Sequence, residues 1–175
     1  MTDAPERMAG LARPMQHALN NSFMILQVNL DSVAAGLPPE DKAAVRMGRA
    51  LQGLKDMEAL LRGYFRLGRP HEEGEVDSGR FLEAVRPVLA LAAKKPLKVE
   101  VRSTAMVKPN RPEADLALLD LVMPAQEMPH GAPLLVLDGK TLIVNWQPPE
   151  GAEASLRAAG LGIERGENET RISLG

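Results

Sequence analysis

Over the first 68 residues, apolar positions recur at the interval of a helix. Leu11, Met15, Ala18, Ser22, Ile25 and Asn29 keep a 4,3 spacing, and so do Leu19, Phe23, Leu26, Leu30 and Val33. The two stripes are adjacent, giving an apolar face wider than a two-stranded coiled-coil seam. Gly36 followed by Pro38-Pro39 stops this helix and starts another, which carries Ala44, Met47, Leu51, Leu54, Leu61 and Phe65 on one face and ends at Gly68. The second helix reads as residues 39–67, on the order of 43 Å at 1.5 Å per residue. Pro14 sits inside the first stripe, where it removes a backbone donor and crowds the carbonyl of Gly10. A kink there and a regular helix beginning near Pro14 are both open. Two long helices joined by a short turn make an antiparallel hairpin. One hairpin cannot cover two such wide stripes, so a second copy is expected to complete a dimeric four-helix bundle.

The segment Gly68-Arg69-Pro70-His71-Glu72-Glu73-Gly74-Glu75 is polar and rich in Gly and Pro, and the pattern changes after it. Ser78 is the expected cap of a helix over 78–93, with Pro87 a local irregularity. Residues 97–102 alternate like a strand with one wet face. Pro112 opens a helix expected to end near 128. Residues 134–137 and 141–146 flank Asp138-Gly139 as a tight hairpin. A short helix over 152–159 ends at Gly160, and 162–164 with 170–174 form a last hairpin around Gly166-Glu167-Asn168. The order α-β-α-β-β-α-β-β predicts a sheet with helices on one face. The chain thus reads as α+β, with a helical hairpin over 1–68 and a second domain over 76–175. Repeats and low-complexity tracts are absent from the sequence.

Composition narrows the function classes. Hydrophobic residues make up 45 % of the 175, but only three Phe, one Trp and one Tyr are present, so Leu, Val, Ala and nine Met must fill the interior. With 21 basic and 23 acidic residues the net charge is −2, which gives no reason to expect nucleic acid or an anionic membrane as a partner. The absence of cysteine removes disulfides, thiolate metal sites and thiol nucleophiles. The first residues lack the apolar core of a signal peptide, and no apolar run approaches the ~18 residues of a membrane span. A soluble, cytoplasmic protein is expected.

Few residues then remain for chemistry. Glu40 and Asp41 are placed in a helix first turn, where acids favour the dipole. His17, His71 and His130 lie far apart and in no metal-ligand spacing. Ser22 and Ser78 have no Gly-x-Ser-x-Gly turn around them. His17 differs from these. At 100° per residue, Arg13, Asn20, Asn21, Met24, Val28 and Asp31 fall within about 60° of it, a mostly polar sector turned away from the apolar seam. An imidazole held there is wet, reachable and substantially neutral at cellular pH, hence nucleophilic.

The stretch His17-Ala18-Leu19-Asn20-Asn21, followed by Phe23-Met24-Ile25-Leu26-Gln27-Val28-Asn29-Leu30, resembles the phosphoacceptor helix of two-component histidine kinases and phosphotransferases. Leu60-Leu61-Arg62-Gly63-Tyr64-Phe65-Arg66-Leu67-Gly68 is similar to the helix ending of ChpT-like histidine phosphotransferases, whose plan is a dimerisation hairpin plus a degenerate, Bergerat-type histidine-kinase-like α/β sandwich. The resemblance implies that His17 accepts and donates phosphoryl groups from and to response-regulator receiver aspartates, that Asn21 positions water or phosphate, and that Arg13, Asn20, Met24 and Val28, with Met15 nearby, contact the receiver. Magnesium is then expected only on the partner receiver.

The sequence departs from that pattern in two places. Ala18 stands where the family has an acid that acts as base or orients the imidazole, so autokinase chemistry is not expected. The helix over 112–128 and Pro129-His130-Gly131 are similar to the kinase helix and turn, but Pro124-Ala125 replace the Asn that holds magnesium and phosphate, and no Asp-x-Gly-x-Gly follows. Gly160-Leu161-Gly162-Ile163 lacks the following helix that would point amides at a phosphate, and reads as a helix end entering the last hairpin. No ATP binding and no cofactor are expected. Two other readings stand beside the relay: a non-catalytic kinase-like module that sequesters or inhibits a regulator or kinase, and a receiver phosphatase using Asn21.

Overall fold

The structure, a computed structural model, describes residues 4–68, 74–127 and 131–175, with side chains from residue 10 onward. The chain divides into two compact units, Met1–Gly68 and Arg69–Gly175. Residues 69–73, with His71, and residues 128–130, with Pro129 and His130, lie outside the described residues.

The first unit is a hairpin of α1 (Ala4–Ala35) and α2 (Lys42–Leu67). α1 runs unbroken through Pro14. Gly10 and Pro14 are both exposed, so the carbonyl that Pro14 leaves without a backbone donor faces water, and the helix tolerates the loss. α2 begins later than the sequence suggests. Pro38-Pro39 belong to the turn, closed by bonds from the Gly36 and Leu37 amides to the Val33 and Ala34 carbonyls and from the Asp41 amide to the Pro38 carbonyl (3.1, 3.1 and 3.0 Å). Asp41 is the N-cap, its carboxylate accepting from the Ala43 amide at 2.8 Å, and Glu40 precedes the helix rather than lying in its first turn.

The α1 positions turned to α2 are Ala12, Gln16, Leu19, Phe23, Gln27, Leu30 and Ala34, of which Phe23 is buried. From α2 they meet the face of Ala44, Met47, Leu51, Leu54, Glu58, Leu61 and Phe65, with Leu54 at its centre. The wide apolar face of α1 is therefore only half covered within the chain. Leu26 and Val33, expected in the same stripe as Phe23, remain exposed, as do Leu11, Met15 and Ile25.

The second unit is a five-stranded mixed sheet with helices packed on one side. Its strand order is β2 (Lys98–Thr104), β4 (Leu134–Gly139), β5 (Thr141–Val144), β7 (Thr170–Ser173) and β6 (Gly162–Arg165). β2 and β4 are parallel and the other pairs antiparallel. Alternation assigns Leu135, Leu137, Leu142, Val144, Thr170 and Ile172 to the helix side, where all are buried. They share a core with Phe81, Leu82, Val85 and Leu89 of α3 (Ser78–Ala93), Leu118 and Leu121 of α4 (Glu113–Val122) and Leu156 of α5 (Glu150–Ala158). A ladder of two residues each, β1 (Val76–Asp77) and β3 (Met106–Val107), is too short to have shown a pattern in the sequence.

Two expectations are corrected here. Asp77, not Ser78, caps α3, accepting from the Arg80 amide at 3.1 Å. Ser78 is buried instead: its hydroxyl donates to the Gly139 carbonyl (2.6 Å) and accepts from the Ala105 amide (3.0 Å), tying α3 to the ends of β4 and β2. The helix expected to reach residue 128 gives way after Val122 to a 3₁₀ turn, Met123–Glu127, because Pro124 cannot donate the next α-helical bond. Pro87 leaves α3 continuous.

Candidate functional site: the outer side of the first helix

At 100° per residue the exposure pattern sorts α1 into three faces. The stripe of Ala12, Leu19, Phe23 and Leu30 is taken by α2. The uncovered apolar stripe, Leu11, Met15, Ala18, Ser22 and Ile25, is turned about 110° from it on one side. His17 is turned about 140° from it on the other side, with Asn21, Met24 and Val28 close to that direction. His17 is thus directed away both from α2 and from the bare apolar stripe.

His17, Asn21, Asn20, Arg13, Met24 and Val28 are all exposed, Met24 and Val28 at 59 % and 62 %. Among the described residues, the side chains of His17 and Asn21 make no hydrogen bond or ion pair, so both ends of the imidazole are free for an incoming group. Asn21 follows His17 by one turn, about 6 Å along the axis. Met24 and Val28 continue the same side for two further turns, an apolar strip beside a polar pair. Ala18 offers only a methyl group, and its carbonyl accepts from the Ser22 hydroxyl at 3.1 Å. Among the described side chains no carboxylate stands next to His17 on the helix, where Asp31, the acid of the sector C-terminal to it, lies almost four turns on.

In the second unit, Pro124 and Ala125 lie in the 3₁₀ turn, with Ala125 fully buried. β5 passes into α5 through only Asn145-Trp146-Gln147-Pro148-Pro149. Trp146 is buried, its indole N–H donating to the Leu121 carbonyl at 3.0 Å while its own carbonyl accepts from the Thr170 hydroxyl at 3.0 Å. The indole thereby satisfies a carbonyl at the frayed end of α4 and fills the space between α4 and the strand ends. A shallow hollow of about 760 Å³ beside it is lined by Met123, Pro124, Gln126, Glu127, Asn145, Gln147 and Pro149, with no basic side chain among them. Gly160, at φ +79°, ends α5 in the left-handed conformation, and Gly162 enters β6 opposite Ser173; the Gly160-Leu161-Gly162 stretch is a helix end, as its sequence context indicates. Among the described residues no group of three His, Asp or Glu converges on one point, and no helix is long and apolar enough to cross a membrane.

Sequence reasoning passed over two features. One is the buried pair of Arg111 and Asp115 at the start of α4, in which the Arg111 Nε–H donates to Asp115 at 2.8 Å and the guanidinium lies 4.8 Å from the centre of the Phe81 ring. Its signal was the i,i+4 spacing of opposite charges. The other is the plug formed by the single Trp, visible in the sequence only as an apolar residue after a strand.

No family model matches the chain, and no curated protein is similar to it. Solved structures with a related arrangement include the cytoplasmic segment of the histidine kinase QseC, at 16 % identity and a TM-score of 0.47, covering 71 % of this chain and 92 % of that one. A bacterial phosphotransferase overlaps 99 % of this chain and 97 % of its own at 12 % identity, with a TM-score of 0.39. The chain is similar to both in part, and its functional reading rests on its own residues.

Proposed function

We propose that this chain is a cytoplasmic histidine phosphotransfer protein, in which two copies pair their hairpins into a four-helix bundle and His17, on the outside of that bundle, exchanges phosphoryl groups with receiver-domain aspartates. The observation that carries this reading is the division of α1 into three faces: one taken by α2, one apolar and bare, and one bearing His17, Asn21, Met24 and Val28. A bundle partner on the bare stripe leaves the histidine face open, and the Met24–Val28 strip offers a receiver apolar contact beside the reacting ring.

In the forward step the unprotonated ring nitrogen of His17 attacks the phosphorus of the partner's aspartyl phosphate. A P–N bond forms, the P–O bond to the aspartate breaks, and that carboxylate leaves; the ring proton passes to solvent. The exposed position of His17 leaves its ring open to the incoming phosphoryl group, and Asn21 stands one turn away on the same side. The receiver's own magnesium ion supplies charge neutralisation there. With Ala18 in place of an acid, no side chain next to His17 takes the proton, so the return step to a second receiver relies on water. The second unit holds no nucleotide in this reading: Pro124-Ala125 offer no ligand, Trp146 occupies the end of α4, and the described residues lining the neighbouring hollow include no cation to meet a phosphate.

Ala18 also favours a second reading, a module that binds a regulator or kinase without moving phosphate. One set of incubations with phosphorylated receivers separates these. Acid-labile label on the wild type that vanishes in His17→Ala supports the relay. Receiver dephosphorylation that survives His17→Ala but is lost in Asn21→Ala transfers the role to a phosphatase using Asn21. Tight binding with stable receiver phosphate supports the module.

A further inference from the structure

β2 is an edge strand, hydrogen-bonded only to β4. The Lys98 amide donates to the Pro133 carbonyl at 2.9 Å, so in this parallel ladder Lys98 and Glu100 turn their backbone groups inward. Leu97, Val99 and Val101 therefore turn theirs outward, with no strand to receive them among the described residues. Val101 is also 51 % exposed. Val99 and Val101 pair with Leu135 and Leu137, both buried on the helix side, so their side chains prolong the apolar core to the rim of the sandwich. Lys98 and Glu100 project from the opposite face and are exposed.

The sequence Leu97-Lys98-Val99-Glu100-Val101 is complementary to itself in the antiparallel sense. We infer that β2 is a docking edge for β2 of a second copy, joined about a two-fold axis at Val99. In that register Val99 faces Val99, Leu97 faces Val101, and each Lys98 faces the other copy's Glu100. The valine and leucine positions form the hydrogen-bonded pairs, since theirs are the outward backbone groups. Lys98 and Glu100 then occupy the non-hydrogen-bonded sites, where facing side chains come closest and opposite charges attract most.

Neighbouring registers are worse. Centring on Glu100 opposes Glu100 to Glu100 and Lys98 to Arg102, like charges in each case. Centring on Val101 runs into the register shift between Val101 and Ser103, where Arg102 is the extra residue of a kind of irregularity that bends and twists a strand. Charges and a bulge commonly guard an edge against pairing. Here they admit one register and refuse the others. At the far edge β6 has only the four residues Gly162–Arg165 and no such pattern.

The test uses the full chain. Amide exchange at Val99 and Val101 slows by about tenfold or more as the protein is concentrated, because those outward N–H groups become bonded. Glu100→Lys removes this protection and lowers the sedimenting mass by one association step; Lys98→Glu does the same. The double exchange Lys98→Glu with Glu100→Lys restores both. Ile25→Glu, which addresses the hairpin, leaves the protection at Val99 intact, so the edge contact and the bundle are scored separately. Exchange at Val99 and Val101 that ignores concentration, or a double exchange that fails to restore what the singles remove, overturns the inference. Circular dichroism of each variant confirms that the sheet is intact.

Discussion

The two units handle apolar surface in opposite ways. In the second unit most large aliphatic side chains of sheet and helices are buried within one chain, Leu89, Leu118, Leu137, Leu156 and Ile172 at 0 % exposure among them, while Leu91, Val101 and Leu116 stay exposed. Among the described residues of the hairpin, Phe23 and Leu54 are the only apolar side chains larger than Ala that are buried, at 6 % and 8 % exposure, while Leu11, Met15, Ile25, Leu26 and Val33 stay open. A single chain thus completes one core and leaves the other unfinished. A core that closes on itself gains its hydrophobic stabilisation whatever the concentration; under the proposed pairing, a hairpin with a bare stripe gains the remainder on association. It follows that substitutions in the second unit should read as stability, and those in the hairpin as assembly and partner choice.

The largest expected loss is at the buried ion pair. Asp115→Ala strands Arg111 in the interior and lowers unfolding free energy by about 3–5 kcal/mol in a denaturant titration, whereas an exposed pair such as Arg86–Glu83 costs about 1 kcal/mol or less when broken. Next is the same truncation made once in each unit. Ile172→Ala lowers stability by about 2–5 kcal/mol at every protein concentration, while Ile25→Ala shifts the melting midpoint chiefly where the wild type is associated. Equal, concentration-independent losses would erase the contrast between the units. Trp146→Phe keeps an aromatic ring but shrinks it and leaves the Leu121 carbonyl without its donor, a loss of about 1–2 kcal/mol or more measured by thermal melting.

The smallest effect is one of pH. The Thr104 hydroxyl and the Arg80 amide, with lesser help from the Gly79 amide and the Arg80 charge, hold the Asp77 carboxyl below its ordinary value against an opposing effect of desolvation. A carboxyl whose pKa falls on folding adds stability that is present above the ordinary carboxylate range and lost as pH drops through the lowered pKa. Wild type and Asp77→Asn should therefore differ in melting temperature near neutral pH and converge in acid. A constant difference across that range would assign the effect to packing instead.

Much of this contrast was legible in the sequence, and the failures are instructive. The 4,3 stripes announced the hairpin because period and length agree over many turns. The bounds of α3 were readable, but its cap was not, since Asp77 and Ser78 are both good capping residues and only the fold shows that Gly139 and Ala105 claim the serine. α2 was read too long because Pro39 suits a helix first turn as well as the tight turn it occupies. Which half of the wide α1 face meets α2 could not be read at all: both stripes are apolar, and Gln16 and Gln27 share the covered side. At the site, periodicity placed Asn21, Met24 and Val28 beside His17, because helical spacing alone fixes that neighbourhood. The plug of Trp146 depends on a contact between residues far apart in sequence, which no local pattern reveals.

The most direct measurement is phosphorus NMR, with peptide mapping, of the full chain incubated with receiver domains carrying aspartyl phosphate. A phosphoramidate signal that maps to the peptide containing His17, and that fades as an unphosphorylated receiver is added, is the predicted result. A chain that binds those receivers yet never acquires phosphorus at His17 would contradict the account.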